Sequence, residues 1–125
     1  MAGPHDGPSL PLPSLRVEVQ WAAALAEAAP VWLLVSTTPC GLAVACTPAR
    51  IMRAEAAAGA RSVALVVDQI HPGGYVLNAV VDRDGDFAQT LFPTSGDGLA
   101  GLDRMIEVGA GRESAFTLPV LFDLP

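Results

Sequence analysis

The chain has no lysine at all; its seven basic residues are all arginine, against thirteen acidic ones, for a formal net charge of −6. A protein that neutralises nucleic-acid phosphate or an anionic membrane needs a basic face, so neither is expected as the main partner. Charged residues are only 16% of the 125 and aromatic ones 6%, while 51% are hydrophobic. So few charges leave apolar surface for a partner protein or further copies of the chain to cover. There are two cysteines, Cys40 and Cys46, too few and too close for a disulfide framework and not a C-x-x-C pair. The start, MAGPHDGPSLPLP, lacks both the basic residues and the apolar run of a cleavable signal. Apolar stretches are broken by Glu27 and Pro30, so no transmembrane helix is expected and the reading is cytoplasmic.

The length fits one domain with a sizeable core, needing neither disulfide, metal nor cofactor for stability. Residues 1–13 hold four prolines and two glycines without periodicity and read as a flexible arm ahead of a compact domain over 14–125. The expected fold class is α/β (α+β): a single mixed, mostly antiparallel sheet with an N-terminal hairpin, a three-stranded meander and two to three packed helices.

The meander is placed over Arg61–Phe92. Ser62–Val67 is a β-branched run suited to a strand buried on both faces; His71-Pro72-Gly73-Gly74 ends it; Tyr75–Val81 is the next strand. Asp84-Gly85 tolerates the positive φ of a tight hairpin turn, and Phe87–Phe92 would return antiparallel. Earlier, Leu15, Val17, Val19 and Trp21 alternate with Arg16, Glu18 and Gln20, the period of a half-buried strand, which passes into a short helix from about Trp21. The competing reading is one helix over 14–29, stopped by Pro30. Val31–Ser36 and Leu42–Cys46 would pair as a hairpin across Thr38-Pro39-Cys40-Gly41.

A second helix is expected over 48–58, with Thr47 as cap, Pro48 in the first turn and Gly59 after the last. A third would start near Ser95 or Asp97, with Leu99, Leu102, Met105 and Ile106 as one stripe ending at Gly109. Residues 115–125 read as a strand-like arm that Pro119 confines to an edge. With a helix in place of the first strand, the element order over residues 15–108 resembles the roadblock or longin modules, which are dimeric partner-binding platforms. The period-two start and the short middle helix depart from that pattern.

Asp82, Asp84 and Asp86 suggest calcium, but the sixth and twelfth positions of such a loop are Phe87 and Pro93, not the required glycine and acid. A solvated turn is the simpler reading, and no metal is expected. Asp68 lies three residues before His71 and could orient it as a base for Cys40, yet nothing in the sequence brings Cys40 to His71. Cys46 shares the alternation of Leu42 and Val44 and reads as a small buried hydrophobe. Arg50 and Arg53 near an expected helix start suggest a small anionic ligand, with Thr37, Thr38 and Thr47 adding hydroxyls, although no phosphate-binding glycine loop is present.

Two functions follow from these residues. The first is a non-catalytic scaffold or interaction protein, self-associating or bound to a partner through Phe116, Leu118, Val120 and Phe122. The alternative is a small-molecule or enzymatic site built from Cys40, Arg50, Arg53 and His71.

Overall fold

The computed structural model describes residues 13–37, 49–85, 87, 96–109, 111 and 113–123, without the side chains of residues 102, 103 and 122. Among the described residues seven strands form one sheet: β1 (Ser14–Gln20), β2 (Ala29–Ser36), β3 (Arg50–Ala56), β4 (Ser62–Val67), β5 (Gly73–Val81), β6 (Gly98–Val108) and β7 (Glu113–Asp123). Their spatial order is β3-β2-β5-β6-β7-β1-β4, and the two outer strands approach each other, so the sheet curls into a nearly closed barrel. The β1–β7 pair is parallel; the other pairs are antiparallel.

The α/β expectation is therefore overturned. No helix packs on the sheet among the described residues; helical backbone occurs there at the single position Phe87. Among the described residues the helix-bearing order that a roadblock or longin likeness requires is absent with it.

What the sequence offers instead is a one-sided pattern repeated around a barrel. Leu15, Val17 and Val19 of β1, Val31, Leu33 and Val35 of β2, Leu65 and Val67 of β4, and Leu77, Ala79 and Val81 of β5 pack with Leu118 in one core. Arg16 and Gln20 face solvent between the β1 residues. A barrel this small has room for inward side chains and little more, and here they fill it.

Each expected helix yields to a specific cause. The stretch after Gln20 is tied to the β3–β4 turn: the Trp21 N–H donates to Arg61 O (2.9 Å), the Leu25 N–H to Ala60 O (3.0 Å), and the Gly59 N–H to Leu25 O (2.7 Å). These bonds outweigh the helix preference of its alanines, which have no apolar stripe to bury. Residues 50–56 form a strand because Met52, Ala54 and Ala56 turn toward the core while Ile51, Arg53 and Glu55 turn out. Gly59 does adopt positive φ (86°), but in the turn between β3 and β4.

The stripe expected over 99–106 divides between two faces of β6. Ile106 enters the main core, Leu99 packs outside with Phe87 and Val80, and Met105 stands in solvent. A strand apolar on both faces shows no alternation and can match helical spacing by coincidence.

The meander is also not formed among the described residues; of its expected third strand, 87–92, only Phe87 is described. β4 pairs with β1, and β5 lies between β2 and β6. β4 is moreover not buried on both faces, since Ser62 and Val66 are exposed. Both ladder edges of β2 over Val31–Val35 are occupied, by β3 and β5, which leaves no edge there for residues 42–46; those residues lie outside the described set.

The C-terminal segment is no edge arm. β7 lies inside the sheet, pairing with β1 over Glu113–Pro119 and with β6 at Val120, Phe122 and Asp123. Pro119 falls where the strand passes from one neighbour to the other, next to a bulge that leaves Leu121 without an opposite residue and 55% exposed. A proline is tolerated at such a junction because a ladder donor is not required of it there.

Candidate functional site

β1, β3, β5 and β7 run one way and β2, β4 and β6 the other, so the connections fall into two groups at opposite ends of the barrel. One end carries Pro13, Ala49, residues 68–72 and Gly109. The other carries residues 21–28, 57–61, 82–85, Gly96, Asp97 and Asp123.

Of the residues proposed for an anionic ligand, Arg50 and His71 belong to the first end. The Arg50 guanidinium donates through Nη2 to Asp68 O (3.2 Å), and the Tyr75 hydroxyl donates to His71 O (2.7 Å), leaving the exposed imidazole uncommitted by that bond. Arg53 does not join them. It projects from the outer wall, with its guanidinium 5.7 Å from the Trp32 ring centroid and Nη2 3.1 Å from Glu55 Oε1. Thr37 is exposed, while Cys40, Cys46, Thr38 and Thr47 lie outside the described residues. Of the residues named for an interface, Leu118 is fully buried and Phe116 and Val120, partly buried, pack against the same core; the side chain of Phe122 is outside the description.

The other end is acidic, and sequence spacing showed only part of it. Carboxylate oxygens of Asp82, Asp84 and Asp97 lie within 4.8 Å of one another. Asp82 follows β5 and Asp97 precedes β6, so the antiparallel pairing of these strands brings them together. A search of the 82–86 turn alone misses Asp97; Asp86, considered with that turn, lies outside the described residues.

Asp82 and Asp97 are buried, and both accept backbone hydrogen bonds. Asp82 Oδ1 receives the Gly85 N–H (3.1 Å) and Oδ2 the Phe87 N–H (2.9 Å); Asp97 Oδ1 receives the Arg83 N–H (3.1 Å). Arg83 turns its own head group away, donating through Nη1 to Gly96 O (2.6 Å) and Asp123 Oδ1 (2.9 Å). Three convergent carboxylates have the oxygen chemistry for a hard cation. The bonds of Asp82 and Asp97 to the backbone equally define a structural clamp that fixes the end of β5 and the entry to β6.

Fold and site together define a class: a nearly closed, seven-stranded mixed β-barrel with a filled interior and an acidic end. No family model, curated protein or solved structure matches the chain. Among the described residues no helix is long and apolar enough to cross a membrane.

Proposed function

We propose that the chain is a non-catalytic interaction domain that binds a protein partner or further copies of itself at the seam of its barrel. The supporting observation is the seam itself. β3 and β4 come together without a ladder between them, so among the described residues each has one edge of backbone groups without a strand partner. Ile51 and Val66, 47% and 37% exposed, stand on the outer faces of these two strands. β4 carries no charge, proline or bulge, the devices that discourage strand addition. Such an edge accepts an extended segment through main-chain hydrogen bonds, with apolar side chains adding contact. A filled interior directs function to the surface in the same way.

The test is light scattering over a wide concentration range on the native chain and on Val66→Glu, an outward substitution that leaves the core intact. The expected result is association of the native chain that the variant loses while melting at the same temperature. A native chain that stays monomeric, with β3 and β4 amides exchanging no more slowly in cell extract than in buffer, would overturn the reading.

A further inference from the structure

β3 and β4 follow one another in the chain, run in opposite directions and are joined by residues 57–61 alone, the arrangement of a hairpin. The turn is formed: the Ala60 N–H donates to Ala57 O (3.0 Å), and Gly59 has positive φ. No ladder joins the two strands, which pair outward with β2 and β1. The polar groups at the turn are drawn to the β1–β2 connection instead, where Leu25 bonds to both Gly59 and Ala60 and the Trp21 N–H donates to Arg61 O. The seam is thus a hairpin tied at its turn and unzipped along its length.

At the end far from the turn, one side chain crosses it. Arg50, the first residue of β3, donates through Nη2 to the main-chain oxygen of Asp68, the residue after β4, at 3.2 Å. Among the described residues this is the hydrogen bond that spans the seam there.

Spacing makes that bond consequential. Cα atoms of β3 and β4 come within 8 Å of one another. Neighbouring strands of a sheet lie about 4.8 Å apart, so a strand between β3 and β4 needs about 9.6 Å, and the seam must widen to admit one. The turn holds one end, so the strands part from the Arg50 end.

We infer that Arg50 is a latch on the seam: its bond to Asp68 O holds β3 to β4, and a partner strand enters by releasing it. This rests on the seam as the binding site and adds how access to it is governed. A partner that binds only the open seam has its apparent affinity scaled by the open fraction, so one factor should appear in two measurements.

Met52 supplies the first. It lies on β3, partly buried against the core, while Met105 on β6 is 74% exposed and serves as an internal reference. Full-length chains are treated with dilute hydrogen peroxide, and initial rates of sulfoxide formation at both residues are read by peptide mass spectrometry. In Arg50→Leu, which keeps a covering side chain and removes the donors, Met52 oxidises about threefold faster, the scale of one exposed hydrogen bond, and Met105 at its native rate. Arg50→Lys, which keeps a donor, stays near the native rate, and Arg53→Leu, on the outer face of the same strand, changes nothing. Self-association of the native chain tightens by the same factor in Arg50→Leu. An unchanged Met52 rate overturns the latch. So does faster amide exchange in β6, the strand farthest from the seam, because the loss is then global. An unchanged Met52 rate alongside an oligomer dissolved by Val66→Glu refutes the latch and leaves the seam standing.

Discussion

Gly101 faces the carbonyl of Leu77 so closely that a β-carbon on it would lie 2.8 Å from that oxygen, and its φ of +83° is one that side-chain-bearing residues rarely adopt. The reason is a bulge. Ala100 pairs with Ala79 and Arg104 with Leu77, so residues 101–103 stand opposite Asn78 alone. Gly101→Ala meets both the backbone strain and the collision, and should lower stability by about 2 kcal/mol or more. Urea denaturation followed by tryptophan fluorescence measures this, and a loss below about 0.5 kcal/mol would mean that the bulge can shift to relieve it.

A chain ending before Ala115 should unfold, not merely dissociate. It loses most of β7, which joins β6 to β1, and with it the fully buried Leu118. Leu118→Ala in the full chain should cost about 3 kcal/mol. Pro119→Ala, at the junction between the two neighbours, should cost under about 1 kcal/mol. Near-ultraviolet circular dichroism of the truncated chain separates the outcomes, since native-like tertiary signal would refute this role for β7.

Asp82 secures the Gly85 and Phe87 N–H groups from a buried position. Asp82→Ala removes both acceptors and should cost about 2 kcal/mol, with Asp82→Asn, which keeps one carbonyl oxygen, losing less. Hydrogen exchange at Gly85 and Phe87 should accelerate before that of the β1 amides. Equal acceleration throughout would show that the clamp is not local.

Trp21 anchors the β1–β2 connection through its indole, whose Nε1–H donates to Ala60 O at 2.8 Å. Trp21→Phe preserves most of the ring and removes the donor, for a loss of about 1 kcal/mol. Amide exchange at Leu25 and Gly59 should rise with it, and unchanged rates would show that the backbone bonds hold this connection unaided.

The sequence made some strands legible and hid others for identifiable reasons. β1 was readable because its two faces meet different surroundings: Leu15, Val17 and Val19 the core, Arg16 and Gln20 water. β3 was obscured by alanines that suit a helix as well as an edge strand, and β6 by apolar residues on both faces. Asp84-Gly85 was a correct turn signal with the wrong outcome. Gly85 does have positive φ, but Asp82 captures the following N–H groups and β6, arriving later in the chain, takes the strand's place beside β5. Pro119 argued against a central strand because a strand that changes neighbours along its length leaves no mark in a linear pattern. The acidic cluster was half visible, since Asp82 and Asp84 share a turn while Asp97 reaches them only through strand pairing.

The parallel contact between β1 and β7 joins the first described strand to the last, with Ser14 beside Glu113. During synthesis β1 leaves the ribosome well before β7 and can find β4 first, while its other side waits for β7. So distant a pairing is slow to form. The barrel therefore closes only once β7 has arrived, and until then β1 is open to capture by chaperones or by the β7 of a neighbouring chain.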